Sequence, residues 1–431
     1  MINIIDYGAI GDGVFDNKSA IESAIEAAKS KQGETVLFPQ GVYFLEQPVY
    51  KTGLYNLRFT GEGAMILCTG NTDVPDLIGR GGGLLLEGNQ ITIENLTFQG
   101  HLIDPPSQNY SADYQYGRLL QLGGNDNQVT ACFFKGGNGG AVLLVNGRGC
   151  SISHNVMQAC NNHSGGGDYG AIHLYGACSD INVSNNRIYD HCYSGISAIG
   201  GGEDERPTNI LIQNNFIRSA SASREADHSM GIYLLNGANQ YISITGNVVE
   251  QADAEGIIVA SYGTRRAKGI VIANNVIRDC AYRGISLQSF SGGTFDDVQI
   301  LGNLVEDGSN VHSVQQIYCD ELNESIISGN RCVGYTGPNT GLDRRGIELG
   351  NSPKGNLIVN NVVTSHNRGI VFYSHNSILM GNRVNNCVIG ILLGYCGGSN
   401  VIGNILEACE TPIEKGTGSS PIIEVGNQSA R

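Results

Sequence analysis

The chain has no Trp, only 10 Pro and 5 Met, and only 15% charged residues in 431. So little charge excludes a coiled coil or a solvated helical array. Basic residues are the minority: 26 Lys and Arg against 40 Asp and Glu leave a net charge of -14. A duplex nucleic-acid binder needs a basic footprint. None is visible, so nucleic acid is excluded as a partner, and an anionic membrane surface on the same ground. No apolar run reaches the length that spans a bilayer. Met1 leads straight into the strand-like Ile2 to Asp6, with no signal peptide, which leaves the compartment open between the cytoplasm and, for a trimmed chain, secretion. The 12 Cys form no CxxC pair, and Cys192, Cys280, Cys387 and Cys409 fall where a small apolar residue is wanted. They read as buried free thiols.

What is present is Gly, 61 residues of it, with 41% hydrophobic residues and a repeat. Ten times an apolar residue is followed three positions later by Asn and, two positions after that, by another apolar residue. The Asn are Asn155, Asn186, Asn215, Asn247, Asn275, Asn303, Asn330, Asn361, Asn382 and Asn404. A period of roughly two to three dozen residues is the mark of a stacked solenoid. Short strands precede and follow each Asn, and a Gly-Ile strand closes each coil, as at Gly231-Ile232, Gly284-Ile285 and Gly346-Ile347. The Asn are expected to stack at an interior turn, each amide bonding to the next coil. The reading is all-β, one domain over 1–431, with an N-terminal cap region in 1–60 and coils over 61–425. Within the cap, Asp16 or Asn17 starts a helix from about Lys18 to Lys31, with Ile21, Ala24, Ile25 and Ala28 on one side and Gly33 at its end. Strands follow at Thr35 to Pro39 and Gly41 to Leu45.

The words Tyr7-Gly8-Ala9-Ile10-Gly11-Asp12-Gly13, Ala20-Ile21, Ala24-Ile25 and Val36-Leu37-Phe38-Pro39-Gln40-Gly41-Val42-Tyr43 resemble the opening of right-handed parallel β-helix proteins of the pectate-lyase and polygalacturonase superfamily. The resemblance implies that fold, with an N-terminal capping helix, and a poly- or oligosaccharide partner. It also implies that side-by-side homotrimers are common. It does not carry a chemistry. The polygalacturonase words Asn-Thr-Asp, Gly-His-Gly and Arg-Ile-Lys are missing, with Asp296-Asp297 the one Asp-Asp pair. The Asp-Pro-His-Glu word of mannuronan epimerases is absent too.

Function must then be read off the outward face. With the Ile of each Gly-Ile strand pointing in, alternation puts His173 and Tyr175, Ser197, Tyr233, Ile258, Ser286 and Gln288, Tyr318 and Asp320, Glu348, and Val371 and Tyr373 outward. Asp320 and Glu348 then lie on adjacent coils with backbones about 8 Å apart, from about 4.8 Å between strands and about 6.6 Å along one. That separation suits two carboxylates flanking a glycosidic bond, one giving a proton to the leaving oxygen and one activating water. The coil that carries Asp320 reads Gln315-Gln316-Ile317-Tyr318-Cys319-Asp320-Glu321 and breaks the Gly-Ile rule, as functional sites often do. Glu321 at the strand end is the reserve acid, and His228 beside Asp227 is a candidate base. Tyr175, Tyr233, Tyr318 and Tyr373 offer sugar-stacking rings in a chain without Trp. His173 and Gln288 add hydrogen-bonding groups, and Arg283, Arg344 and Arg345 suit a carboxylate or a polarised oxygen.

The expected function is cleavage of glycosidic bonds by an acid/base carboxylate pair, with no cofactor required. Two alternatives stand beside it. One is a uronate lyase or C5-epimerase, which would use Arg or Ca²⁺ held by Asp227, Asp253 and Glu255. The other is a non-enzymatic glycan-binding phage-tail or surface protein.

Overall fold

The computed structural model describes the chain except residues 32, 69–82, 101–117, 138, 161–169, 192, 201–204, 220–228, 236–239, 307–314, 335–342, 352, 420 and 431. The fold is a right-handed parallel β-helix with one short N-terminal helix. Two compact units divide it, Met1–Ala226 and Asp227–Arg431. Each repeats the same coil. In the second unit one coil runs through the strands Ile285–Phe290, Gln299–Leu301 and Leu304–Glu306, and the next through Gln315–Asp320, Ile326–Ser328 and Arg331–Val333. Equivalent strands pair in parallel, Ile285 with Ile317, Ile300 with Ile327 and Val305 with Cys332. These three residue columns point inward and are at most 2% exposed, so each coil buries its apolar residues on those of its neighbours.

The Asn ladder is real. All ten Asn are 1% exposed or less. In the second unit Oδ1 of Asn303 accepts from the backbone N–H and from Nδ2 of Asn275, both at 2.9 Å, and Asn303 Nδ2 donates to Ile272 O at 2.9 Å. The pattern repeats through Asn330, Asn361, Asn382 and Asn404 to the half-buried Asn427. Asn supplies both a donor and an acceptor, so one side chain satisfies three buried backbone and amide groups that the turn takes out of the strand ladder. In the first unit the series runs from Asn155 through Asn186 to Asn215.

A second polar stack stands at another turn. Ser325 Oγ accepts from Val298 N, Asn356 Oδ1 from Ser325 N, Ser377 Oγ from Asn356 N and Ser399 Oγ from Ser377 N. The 11 described Cys are buried and unbridged, as their spacing predicts.

The cap differs from its sequence reading in detail. The opening strand is only Ile2–Asn3, and the chain then turns through a 3₁₀ segment, Ile4–Tyr7. Asn3 accepts from Ile5 N and Gly8 closes the turn at φ 92°. These local bonds outcompete extension of the strand. The helix spans Lys18–Lys29 and ends at Ser30, short of Gly33. Asn17 holds the cap position but does not cap the helix with its side chain. Its Oδ1 accepts from Ile10 N at 2.7 Å and its Nδ2 donates to Phe15 O at 2.7 Å, tying the preceding loop instead. Ile21, Ala24, Ile25 and Ala28 are fully buried, and the helix lies against Ile2–Asn3, Thr35–Phe38 and Val49–Tyr55. No helix among the described residues is long and apolar enough to cross a membrane.

Candidate active site

The register of the second unit aligns one outward column from coil to coil: Tyr233, Ile258, Ser286, Tyr318, Glu348, Val371 and Leu392. Two residues along the strands runs a second, in which Ala260 pairs with Gln288 and Asp320 with Gly350. The flanking Ile317, Cys319, Ile347 and Leu349 are fully buried, which fixes Tyr318, Asp320 and Glu348 on the opposite, outer side. Asp320 and Glu348 therefore occupy neighbouring coils, offset by two residues, as alternation predicts.

Gln316 explains how this coil departs from the Gly-Ile rule. At Gly284, Gly346 and Gly369 a Cβ would meet Val305, Val363 and Val384 at 2.2 to 2.3 Å. The residue in register with those Val on the coil of Gln316 is Cys332. The smaller side chain leaves room for Gln316, which is 2% exposed and donates from Nε2 to Val333 O.

Both acids face outward yet are only 6% exposed. Glu348 Oε1 is ion-paired with Arg345 Nη1, while Arg345 also donates from Nη2 to Asp343 Oδ2 at 2.6 Å. Glu348 Oε2 is buried without a hydrogen-bond partner, and so is Asp320 Oδ1. An unpartnered buried carboxylate oxygen is costly, and two on adjacent coils are a strong sign of a site built for a ligand. Burial pushes the Asp320 carboxyl above the ordinary carboxylate range, against the pull of Asn351, the Ser289 N–H, Arg283 and the Glu321 N–H.

Tyr318 stands between the two acids. Its hydroxyl would lie 3.1 Å from a Cβ on Gly350, the residue paired with Asp320, while Tyr318 itself pairs with Glu348. Its phenol is pushed up to about 12, first by burial, then by Asp320, with Glu348 adding and Arg283 opposing. The Arg283 guanidinium covers the ring at 4.2 Å from its centroid and donates from Nε to Gln315 Oε1 at 2.9 Å. Gln288 donates from Nε2 to Glu255 Oε1 and to Ser286 Oγ, both at 2.9 Å. The acids, Tyr318, Arg283, Arg345 and Gln288 thus form one polar cluster on this face.

Other residues named from the sequence fall elsewhere. Glu321 sits just past Asp320 at φ 46° and is half-buried, its carboxyl raised by burial and then by Asp320. Tyr233 heads the outward column but is 7% exposed. Tyr373 packs edge-on against Tyr395, with centroids 6.4 Å apart. Arg344 is 5% exposed. It lies within electrostatic reach of the buried His366, whose imidazole is lowered to about 3, mainly by burial.

His173 and Tyr175 belong to the first unit. His173 pairs with Ser197 as the alternation predicts, but it is 1% exposed and its Nδ1 lies 2.6 Å from Ser197 Oγ. Burial holds that imidazole well below its ordinary value. His173 is therefore a core histidine and not a substrate contact. Tyr175 is half-buried with its ring 5.9 Å from that of His173. His228 and Asp227 lie outside the described residues. Among the described residues no group of three or more His, Cys, Asp and Glu is arranged to hold a metal ion.

Sequence reasoning missed Tyr262 and Phe290. They are the next outward residues after Ala260 and Gln288, pair in register, and stack at 4.5 Å with 16° between the rings. Extending the alternation by one step would have found them. Asp343, Asn351 and Ser289 had no such signal, because they act from strand ends and loops.

The raised Asp320 carboxyl has a measurable consequence. The folded state binds this proton more tightly than the unfolded chain does. The stabilisation is complete below the unfolded value, about 3.9, and is lost as pH rises through the folded one. At neutral pH the ionised group costs stability. Asp320→Asn is expected to raise the melting temperature at pH 7 by about 1–3 °C, and the gain to vanish below about pH 4. Thermal scans of both proteins across that pH range check this; a loss of stability at pH 7 would contradict it.

Residues 1–203 match the family model described as rhamnogalacturonase A/epimerase, pectate lyase-like, and residues 294–420 match that of periplasmic copper-binding protein (NosD). The uncharacterized protein YclG of Bacillus subtilis is 24% identical over 424 residues, covering 90% of this chain and 62% of that protein. The capsule K30/K69-specific depolymerase of Klebsiella phage K64-1 is 26% identical over 352 residues, covering 75% of this chain and 40% of the depolymerase. The chain thus spans less than two thirds of the length of either relative. Among solved structures, the Dettilon tailspike protein superposes with a TM-score of 0.57 at 17% identity, covering 98% of this chain and 68% of the tailspike. The architecture is that of the pectate-lyase-like β-helix proteins.

Proposed function

We propose that the outer face of the second unit is the active site of a carbohydrate-active enzyme that cleaves glycosidic bonds of a poly- or oligosaccharide. Asp320 is the acid that protonates the leaving oxygen, and Glu348 is the base that activates water. The observation that carries this reading is the pair of buried carboxylate oxygens, Asp320 Oδ1 and Glu348 Oε2, that no protein group satisfies. A glycosidic oxygen and a water would satisfy them. The two acids have unlike surroundings, as acid and base must. Asp320 has its proton favoured by burial, whereas Glu348 has the Arg345 guanidinium as countercharge. Their offset of one coil and two residues sets the two backbones about 8 Å apart on one face. The relative named as a capsule depolymerase supports a polysaccharide substrate.

Tyr318, Arg283 and Gln288 orient the sugar at the centre of the cluster, and the stacked Tyr262 and Phe290 offer a ring platform beside it. The test is a panel of neutral, uronic and capsular polysaccharides with product analysis. New reducing ends without ultraviolet-absorbing products are expected. Unsaturated, ultraviolet-absorbing products would move the reaction to β-elimination. Binding without turnover on any substrate would remove the enzyme from this face.

A further inference from the structure

On the first unit a hollow of about 520 Å³ opens beside the Asn ladder. Its volume lies within the range of small-ligand sites, about 300–1,000 Å³. One wall is His154, Asn185 and Asn214, the residue before each ladder Asn, with φ of 59°, 57° and 55°. This left-handed bend turns each side chain out of the coil, so three polar groups stand in a row about 4.8 Å apart. The other wall is Val156, Arg187 and Phe216, which pair in register on successive coils.

The polar groups of this hollow are uncommitted. Some arginines on other coils are ion-paired, as in Arg58–Glu94, Arg278–Glu306 and Arg383–Glu407. Arg187 has no carboxylate partner among the described residues, and the side chains of His154, Asn185 and Asn214 form no hydrogen bond among them either. The Phe216 ring lies 5.5 Å from that of Tyr189, tilted by 45°, and Tyr189 carries the Arg218 guanidinium 5.3 Å from its centroid. In a chain of net charge -14, Arg187 and Arg218 therefore face one way from neighbouring coils.

We propose that this hollow is a non-catalytic binding site for a carboxylated sugar within an oligosaccharide. The ring face stacks on Phe216, hydroxyls bond to the Asn185 and Asn214 amides, and the carboxylate meets the Arg187 fork. A neutral sugar would leave the guanidinium unused, and a duplex nucleic acid would need many more cations than this face holds. The site does not depend on the acid pair of the second unit.

The test is calorimetric titration of the full chain with a hyaluronan tetrasaccharide, which carries glucuronate, and with the neutral cellotetraose. The hyaluronan fragment is expected to bind at least about tenfold more tightly than cellotetraose, and Arg187→Gln to weaken it about tenfold. Asn214→Gly keeps the positive φ while removing the amide, and is expected to weaken binding about threefold. The Asp320→Asn, Glu348→Gln double variant is expected to bind unchanged. Three outcomes overturn the proposal: no binding of the charged fragment, binding untouched by Arg187→Gln in a protein of unchanged melting temperature, or binding abolished by the double variant.

Discussion

Asp320→Asn and Glu348→Gln are each expected to lower turnover of a cleaved polysaccharide by about 10³-fold, within the range of about 10²–10⁴ for a positioned acid or base. The double variant should fall little further than the worse single one, because acid and base serve one bond-breaking event and their losses do not add. Each substitution keeps the shape of the side chain and removes only the ability to exchange a proton. Asp320→Asn should also be the more stable protein at pH 7, so lost activity cannot be attributed to lost fold. The two variants should separate on a substrate with an activated leaving group. Such a group needs little protonation, so it rescues Asp320→Asn and does not rescue Glu348→Gln. Initial rates on a natural glycan and on an aryl glycoside of the same sugar decide the matter. Equal rescue of both variants, or full activity in either, would sink the assignment of roles.

Asn303→Ala is expected to cost about 3–6 kcal/mol of stability. The side chain accepts from Asn275 N and Asn275 Nδ2 and donates to Ile272 O, so its removal leaves Asn275 N and Ile272 O without these bonds at about 1–3 kcal/mol each, and takes one of two bonds from Asn275 Nδ2, which keeps Ile244 O, at a smaller cost. The terminal Asn427 gives the internal comparison. It accepts from Asn404 N and Nδ2 in the same way but is half-buried, so water replaces much of what is lost. Asn427→Ala should cost about 1 kcal/mol. Urea unfolding of the two variants measures the difference, read as a shift in midpoint at unchanged slope. Equal losses would mean that burial does not set the worth of a ladder step.

How much of this was legible beforehand differs from one feature to the next. The Asn ladder was legible because a solenoid repeats one contact: whatever Asn275 needs from Asn303, Asn303 needs from Asn330, and the need recurs in the sequence. The outward columns were legible for the same reason. A strand alternates with period two, so a buried Ile285, Ile317 or Ile347 determines where Ser286, Tyr318 and Glu348 point. The helix face of Ile21, Ala24, Ile25 and Ala28 followed from its own spacing. The cap residue Asn17 did not, since its side chain serves Ile10 and Phe15, contacts that no local pattern records.

His173 shows the limit most plainly. The column placement of His173 was right, yet it is buried to 1% exposure against Ser197. Alternation tells which side of a strand a residue takes; it does not tell whether neighbouring coils cover that side. The sequence by itself determined the spiral, its ladder and the two adjacent acids, because those follow from short periods and hydrogen-bonding need. Only the tertiary structure decided that Asp320 and Glu348 are nearly enclosed, each with one oxygen unsatisfied, and that Arg345 neutralises one and not the other. Enclosure and charge pairing arise from residues that are neighbours in space and far apart along the chain, and no periodicity encodes them.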